Sequence, residues 1–279
     1  MASLRFTKMH GIGNDYVYVD CFSQTVMDPA SLARRISPRR TAIGSDGLIL
    51  ICPSRVAHCR MEMYNADGSR GEMCGNGIRC VGKYVYEHHL ARHDALQIET
   101  DAGIKPLRLH TCGGRVEAVT VDMGEPVLDG PRIPVAAEGR VIDMPLRVGG
   151  QIYRITCVSM GNPHCVVFLA DVDGLPLDDI GPQFEHHAFF PQRVNTEFLN
   201  VLTARELRMR VWERGSGETA ACGTGACAAL VAAVLNGAVE RRARVHLNGG
   251  DLDIEWQAAD NHVLMTGPAE EVFNGEIEV

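Results

Sequence analysis

The sequence predicts an α+β protein made of two related halves, with strands wrapped around a central helix in the second half at least. Three observations carry this. A Cys-Gly-x-Gly tetrad occurs twice, as Cys74-Gly75-Asn76-Gly77 and as Cys222-Gly223-Thr224-Gly225, 148 residues apart (222 − 74). Each tetrad runs straight into a helical pattern of apolar residues. Short strand-like runs fill much of the remaining chain.

The helices come first. Asp28-Pro29 starts one, with Asp as N-cap and Pro in the first turn, running to about Ser37. After Cys74, residues Ile78, Val81, Tyr84, Val85 and Leu90 recur at helical spacing. After Cys222 the run Ala226–Leu235 is apolar all round, and Asn236-Gly237 supplies a stop. A helix without a polar face belongs inside the protein. Strands are expected at Leu96–Thr100, Arg115–Asp122, Gln151–Val158, Cys165–Leu169, Arg193–Leu202, Glu206–Glu213 and Asp251–Trp256.

The repeat extends beyond the tetrads. Gly13-Asn14 matches Gly161-Asn162 at the same offset, and Tyr64-Asn65 falls on Trp212-Glu213. Met123-Gly124-Glu125-Pro126 resembles Thr266-Gly267-Pro268-Ala269 at an offset of 143 (266 − 123). These landmarks predict one half of residues 1–124 plus 267–279, carrying Cys74, and another of 125–266, carrying Cys222.

Composition narrows the function. With 46% hydrophobic and 22% charged residues, the chain is globular rather than disordered. The net charge of −8 and the lack of any long Lys/Arg block argue against nucleic acid. The most apolar stretch, Ala220–Leu235, is shorter than the roughly 20 residues a membrane span needs. The first twenty residues lack the apolar run of a signal peptide, so a cytoplasmic protein is expected. Its 10 cysteines are then mostly thiols. No Cys-x-x-Cys pair occurs, and no metal site is expected. The 29 glycines, about 10% against a usual ~7%, call for tight turns or close backbone approach to a ligand.

A helix N-terminus offers unpaired N–H groups and partial positive charge. A cysteine there is expected to ionise easily, and a carboxylate can dock beside it. Two such units facing one substrate carbon would let one thiol remove a proton and the other return it, which is stereoinversion by two bases. The other eight cysteines read as small buried hydrophobes.

Polar residues cluster in the loops near the tetrads: Asn14, Asn65, Asn162, His164, Asn195, Glu213 and Arg214. Asparagine offers both a donor and an acceptor to an amino acid, although a single Asn-Gly is usually just a turn. Arg214 can take a carboxylate in bidentate fashion or form a surface ion pair. Glu213 can accept from an ammonium or orient a thiol. His164 can relay a proton or simply sit satisfied in a turn. The pairs His88-His89 and His186-His187 read as surface residues.

Asn65-Ala-Asp-Gly-Ser with Met73-Cys-Gly-Asn-Gly-Ile-Arg-Cys80, Gly161-Asn-Pro-His164 and Glu213-Arg-Gly-Ser-Gly-Glu-Thr-Ala-Ala-Cys-Gly-Thr-Gly225 resemble diaminopimelate epimerases over nearly the whole chain. The resemblance implies a cofactor-independent isomerase with two α/β domains, each a mixed curled sheet around a central helix. It implies interconversion of LL- and meso-diaminopimelate in lysine and peptidoglycan precursor synthesis, and a homodimer. Cys74 and Cys222 match the two catalytic thiols. Gly75-Asn76 and Gly223-Thr224 match the cradle for the reacting carboxylate. Asn14, Asn65, Asn162, Asn195, Glu213 and Arg214 match substrate contacts, with Asn65, Asn162, Asn195 and Arg214 at the distal end. His164 and Glu213 match thiol supports. Gly47 stands where some members have glutamine, so that side-chain contact is lost here. A racemase of another amino acid, of histidine or hydroxyproline type, and a two-lobed amino acid binding protein without activity are the competing readings.

Overall fold

The computed structural model describes residues 3–278. The two chain ends of the first expected half, residues 1, 2 and 279, lie outside them. The chain forms two compact units. One holds the chain up to Val121 and again from Thr266 onward; the other is Asp122–Met265.

The first unit contains β1 (Ser3–Gly11), β2 (Asn14–Asp20), α1 (Pro29–Ile36), β3 (Gly47–Cys52), β4 (Cys59–Asn65), β5 (Arg70–Gly71), α2 (Gly75–Glu87), β6 (Ala95–Thr100), β7 (Gly103–Cys112) and β8 (Arg115–Asp122). The second contains β9 (Met144–Val148), β10 (Gln151–Ser159), β11 (Pro163–Phe168), α3 (Leu177–Glu185), β12 (Asn195–Thr203), β13 (Glu206–Glu213), β14 (Gly217–Thr219), α4 (Gly223–Leu235), β15 (Arg242–Leu247) and β16 (Gly250–Trp256). The chain leaves it along β17 (Val263–Gly267) and ends in β18 (Glu270–Glu278), which pairs antiparallel with β1 in the first unit.

Both units repeat one topology. In the first, β1 and β2 form a hairpin, β2 and β3 are parallel, β3 and β4 antiparallel, β4 and β6 parallel, and β6 and β7 antiparallel. In the second, β10 to β13, β15 and β16 follow the same sequence of pairings. The register repeats too: Tyr16 lies opposite Gly47, and His164 opposite Asn195, each 148 residues on (164 − 16; 195 − 47). Each parallel pair needs a crossover: α1 and α3 provide those of β2–β3 and β11–β12, and the central helices α2 and α4 those of β4–β6 and β13–β15. The β3 run Leu48–Ile51 and the β12 run Asn195–Leu199 are buried without alternation, as strands covered on both faces must be.

Each unit wraps its sheet around one 13-residue helix. Helix α4 packs on β10 to β13, β15 and β16, and α2 on β1, β2, β6 and β7. The all-apolar sequence of α4 explains its burial. Helix α2 corrects the sequence expectation at its end: Leu90 lies past it, where His88 caps and His89 turns with φ 61°. Gly75 to Val85 are all buried. The buried cations meet oxygen partners on their own helix and beyond it. Arg79 donates to the carbonyls of Gly75 and Pro268 and to Asn76 Oδ1, and Lys83 to Glu87 and to the Val116 carbonyl. No helix among the described residues is long and apolar enough to cross a membrane.

Candidate active site

In each unit the tetrad cysteine is the N-cap of the central helix. Cys74 caps α2 (φ −128°, ψ 118°) and Cys222 caps α4 (φ −122°, ψ 109°). The extended backbone turns each sulfur toward the first helical turn, where α-helices leave N–H groups without an intrahelical acceptor. Gly75-Asn76 and Gly223-Thr224 occupy the first two helical positions, with glycine keeping the approach to the backbone clear.

In the first unit the half-buried Cys74 sulfur accepts from the Gly77 N–H at 3.3 Å, and its thiol donates to Asn14 Oδ1 at 3.2 Å. Asn14 Nδ2 donates to Asp46 Oδ2 at 2.7 Å, so Asp46 decides which end of the amide meets the sulfur. The buried phenol of Tyr16 lies near both Asn14 and Cys74; burial, reinforced by the Cys74 sulfur, holds it well above its usual range. Asn65, at the end of β4, donates to Ser69 Oγ at 2.9 Å and shapes its own turn. Asn76 accepts from Arg79 at 3.0 Å through Oδ1. Gly47 has a steric reason: a Cβ there would stand 2.1 Å from the Tyr64 carbonyl oxygen, so no glutamine fits this backbone.

In the second unit, Cys222 is buried with Sγ 3.5 Å from Thr224 Oγ1. Asn162 Nδ2 donates to the same Thr224 oxygen at 3.4 Å, and Asn162 Oδ1 lies 3.0 Å from His164 Nε2. His164 Nδ1 lies 2.7 Å from Glu197 Oε1, and both residues are fully buried. Glu213 accepts a short hydrogen bond from the Thr219 hydroxyl and sits beside Cys222. Burial pushes the Glu213 carboxyl up, against the bonds from Thr219 and Cys222.

The expected easily ionised thiol is overturned at Cys222. Burial pushes this thiol well up, and the Glu213 and Glu197 carboxylates push it further; the Thr224 hydroxyl and the Gly225 amide offset only part of that. The helix end is real, but desolvation and two carboxylates outweigh it. Among the other cysteines, burial holds Cys59 up at about 12 and Cys80 at about 11, as inert core thiols should be.

Asn195 and Arg214 form a separate cluster. Buried Asn195 donates to the Pro163 carbonyl at 3.0 Å and accepts from the Arg214 N–H at 2.9 Å, tying β11 to the β13–β14 turn. Gly215 N–H donates to the buried Glu185 at 3.0 Å. The exposed Arg214 guanidinium donates to the Gln192 carbonyl, and no carboxylate among the described residues pairs with it. Its turn is fixed while its charge stays available to a ligand carboxylate.

Three residues escaped the sequence reading: Asp46, Tyr16 and Glu197. Glu197 left a signal, because a carboxylate stands next to Phe198-Leu199 in a strand, at the position 148 residues after the apolar Ile49 (197 − 49). A hollow of about 700 Å³ in the second unit, lined by Arg205, Glu240, Arg244 and Asp253, is a surface of mutually paired charges and contains none of these residues.

The family model described as "Diaminopimelate epimerase" matches residues 6–128 and 156–272. A diaminopimelate epimerase of Moorella thermoacetica is 57% identical over 275 residues, covering 98% of this chain and 99% of that protein. One from Acetivibrio thermocellus is 54% identical, with 99% of each chain covered. Among solved structures, a PhzF-family phenazine biosynthesis protein of Enterococcus faecalis superposes with a TM-score of 0.74 at 12% identity over the full length of both chains. A hydroxyproline epimerase from Agrobacterium vitis does so with 0.70 at 15%, covering 99% of this chain and 91% of that one. At such identities these two show a shared fold.

Proposed function

The chain belongs to the diaminopimelate epimerase family, and from that membership we propose that it interconverts LL- and meso-diaminopimelate by proton transfer at the α-carbon, with Cys74 and Cys222 as the two acid–base groups. The observation that carries this reading is the repeated placement of a thiol at the N-cap of a buried helix, with polar side chains gathered at each sulfur.

An amino acid α-proton is weakly acidic, so the carbanion must be stabilised where its charge develops. Charge delocalises onto the substrate carboxylate, and the first-turn amides at Gly75-Asn76 and Gly223-Thr224 are the groups proposed to receive it. Cys222, held as a thiol by burial and two carboxylates, is proposed to donate its proton to the carbanion in one direction. In the other direction it must first become a thiolate, and Glu213, whose proton affinity burial has raised, is proposed to take that proton. Asn14 is proposed to hold the Cys74 thiol in line through Oδ1.

Asn65, Asn162, Asn195 and Arg214 are proposed to hold the distal amino acid end. For Arg214, a fixed turn carrying a guanidinium with no partner carboxylate among the described residues supports this role. A cytoplasmic homodimer completes the proposal. Ten cysteines without a disulfide fit a reducing compartment, and light scattering of the purified protein tests the dimer. The activity itself is tested by chiral chromatography after incubation with LL-diaminopimelate, L-histidine and trans-4-hydroxy-L-proline. Conversion of diaminopimelate alone is expected. Conversion of either other amino acid alone would move the chain to a racemase of that substrate.

A further inference from the structure

We propose that Glu197 is a positioning residue for the Cys222 thiol, acting through His164. Its carboxylate fixes the imidazole with Nδ1 protonated and turns Nε2 toward Asn162. This deepens the proposed function, because it rests on Cys222 being one of the two acid–base groups.

The duplicated fold supplies the argument. Glu197 stands opposite Val166 across β11 and β12, and Ile49 opposite Tyr18 across β2 and β3, 148 residues earlier. The neighbours correspond as well. A Cβ on Gly225, in the first turn of α4, would stand 2.7 Å from Glu197 Oε1. A Cβ on Gly77, in the first turn of α2, would stand 2.6 Å from Ile49 Cδ1. Both side chains are fully buried. The fold therefore accepts an apolar residue at this place and does not itself require the carboxylate. Burying an ionised carboxylate costs several kcal/mol unless it is well paired. This one is only partly paired: Oε1 meets His164 Nδ1 at 2.7 Å, while Oε2 has no partner among the described residues. A feature that costs stability, in one copy of a repeat only, beside the proposed acid–base group, points to function.

Its effect on the ring follows from donor and acceptor identities. A carboxylate only accepts, so the hydrogen between Nδ1 and Oε1 belongs to the ring. Nε2 stands 3.0 Å from Asn162 Oδ1, which also only accepts, so this contact is a hydrogen bond when Nε2 carries a hydrogen as well; Asn162 Nδ2 in turn donates to the Thr224 hydroxyl beside Cys222 Sγ. The chain Glu197–His164–Asn162–Thr224 thus ends at the sulfur. In the first unit the corresponding positions hold Ile49, Tyr16 and Asn14, so the two thiols share a backbone but not an environment.

The titratable groups around Cys222 are Glu213 from β13, Glu197 from β12 and, beyond them, His164 from β11. Removing the Glu197 charge alone favours the Cys222 thiolate. In Glu197→Gln, the pH midpoint for modification of Cys222 by methyl methanethiosulfonate, read by peptide mass spectrometry, is expected to fall by about one unit. Turnover of diaminopimelate is expected to drop about tenfold or more, with KM within about threefold. An unchanged midpoint together with unchanged turnover would overturn the proposal. A second measurement does not depend on the variant folding: nitrogen-15 NMR of the histidine-labelled native protein, assigned with His164→Gln, should show His164 protonated at Nδ1. A bare Nδ1 would overturn it equally. Neither the modification midpoint nor the NMR spectrum needs substrate. A protein that passes both but leaves diaminopimelate untouched would refute the proposed function and not this inference.

Discussion

Asp46 Oδ2 accepts from Asn14 Nδ2 at 2.7 Å, and this one bond sets the amide so that Oδ1 faces the Cys74 thiol at 3.2 Å. Released from Asp46, the amide can present its NH2 group to the sulfur instead, which a thiol proton cannot use. Asp46→Ala is therefore expected to lower kcat about tenfold while leaving KM little changed, since uniform substrate binding is untouched. Steady-state kinetics beside Asn14→Ala checks it: the double variant should be no worse than the poorer single one, because both remove the same orientation.

Gly77 and Gly225 should respond differently to alanine, although both sit one turn into a helix behind a cysteine. At Gly77 the new methyl meets the tip of Ile49, an apolar group that can shift. At Gly225 it meets Glu197 Oε1 at 2.7 Å and Cys222 Sγ at 3.3 Å, and the carboxylate is held by His164. Gly225→Ala is expected to cost roughly 1–3 kcal/mol of stability, in the range of overpacked cores, and most of the activity. Gly77→Ala should cost less of both. Denaturant melts and initial rates of the pair decide.

The Arg214 backbone N–H is held by Asn195 and the next amide, of Gly215, by Glu185, while the exposed guanidinium donates to the Gln192 carbonyl. Arg214→Ala should leave the thermal midpoint nearly unchanged and raise KM for diaminopimelate at least tenfold. Arg214→Lys should recover little of the loss, because a point charge does not reproduce a bidentate fork. A normal KM in Arg214→Ala would remove the residue from the substrate site.

Glu213 links activity to pH-dependent stability. Burial raises its carboxyl pKa in the folded chain, so its contribution to stability is fully present below the unfolded value, near ~4.3, and is lost as pH rises through the folded value. Glu213→Gln keeps a neutral group of the same shape at every pH. Its melting temperature should gain on the native protein as pH rises from about 5 toward 8, while epimerisation falls sharply. A constant difference across that range would contradict the raised value.

Much of this architecture was legible in the sequence because backbone geometry leaves local marks. Asp28-Pro29 caps α1 as read, with Asp28 accepting from the Ser31 N–H. The runs Arg115–Asp122 and Glu206–Glu213 are strands with those bounds. The apolar stretch that starts at Ala226 lies in α4, buried from Ala226 to Ala233. What the sequence hid was electrostatic. Helix-end logic predicts an acidified Cys222, and burial above all, with Glu213 and Glu197 packed beside it, reverses the sign. The burial of Arg79 and Lys83 in α2 was equally hidden, since their partners are mostly carbonyl oxygens that no side-chain pattern records.

The central claim is proton exchange at one carbon by two thiols, and heavy water tests it most directly. The purified protein is incubated with LL-diaminopimelate in deuterium oxide, and the α-carbon and stereochemistry are followed by NMR and chiral chromatography. The account predicts meso product carrying deuterium at the inverted centre, with inversion abolished in both Cys74→Ala and Cys222→Ala. Absence of both deuterium and meso product, or full inversion in either variant, would contradict it.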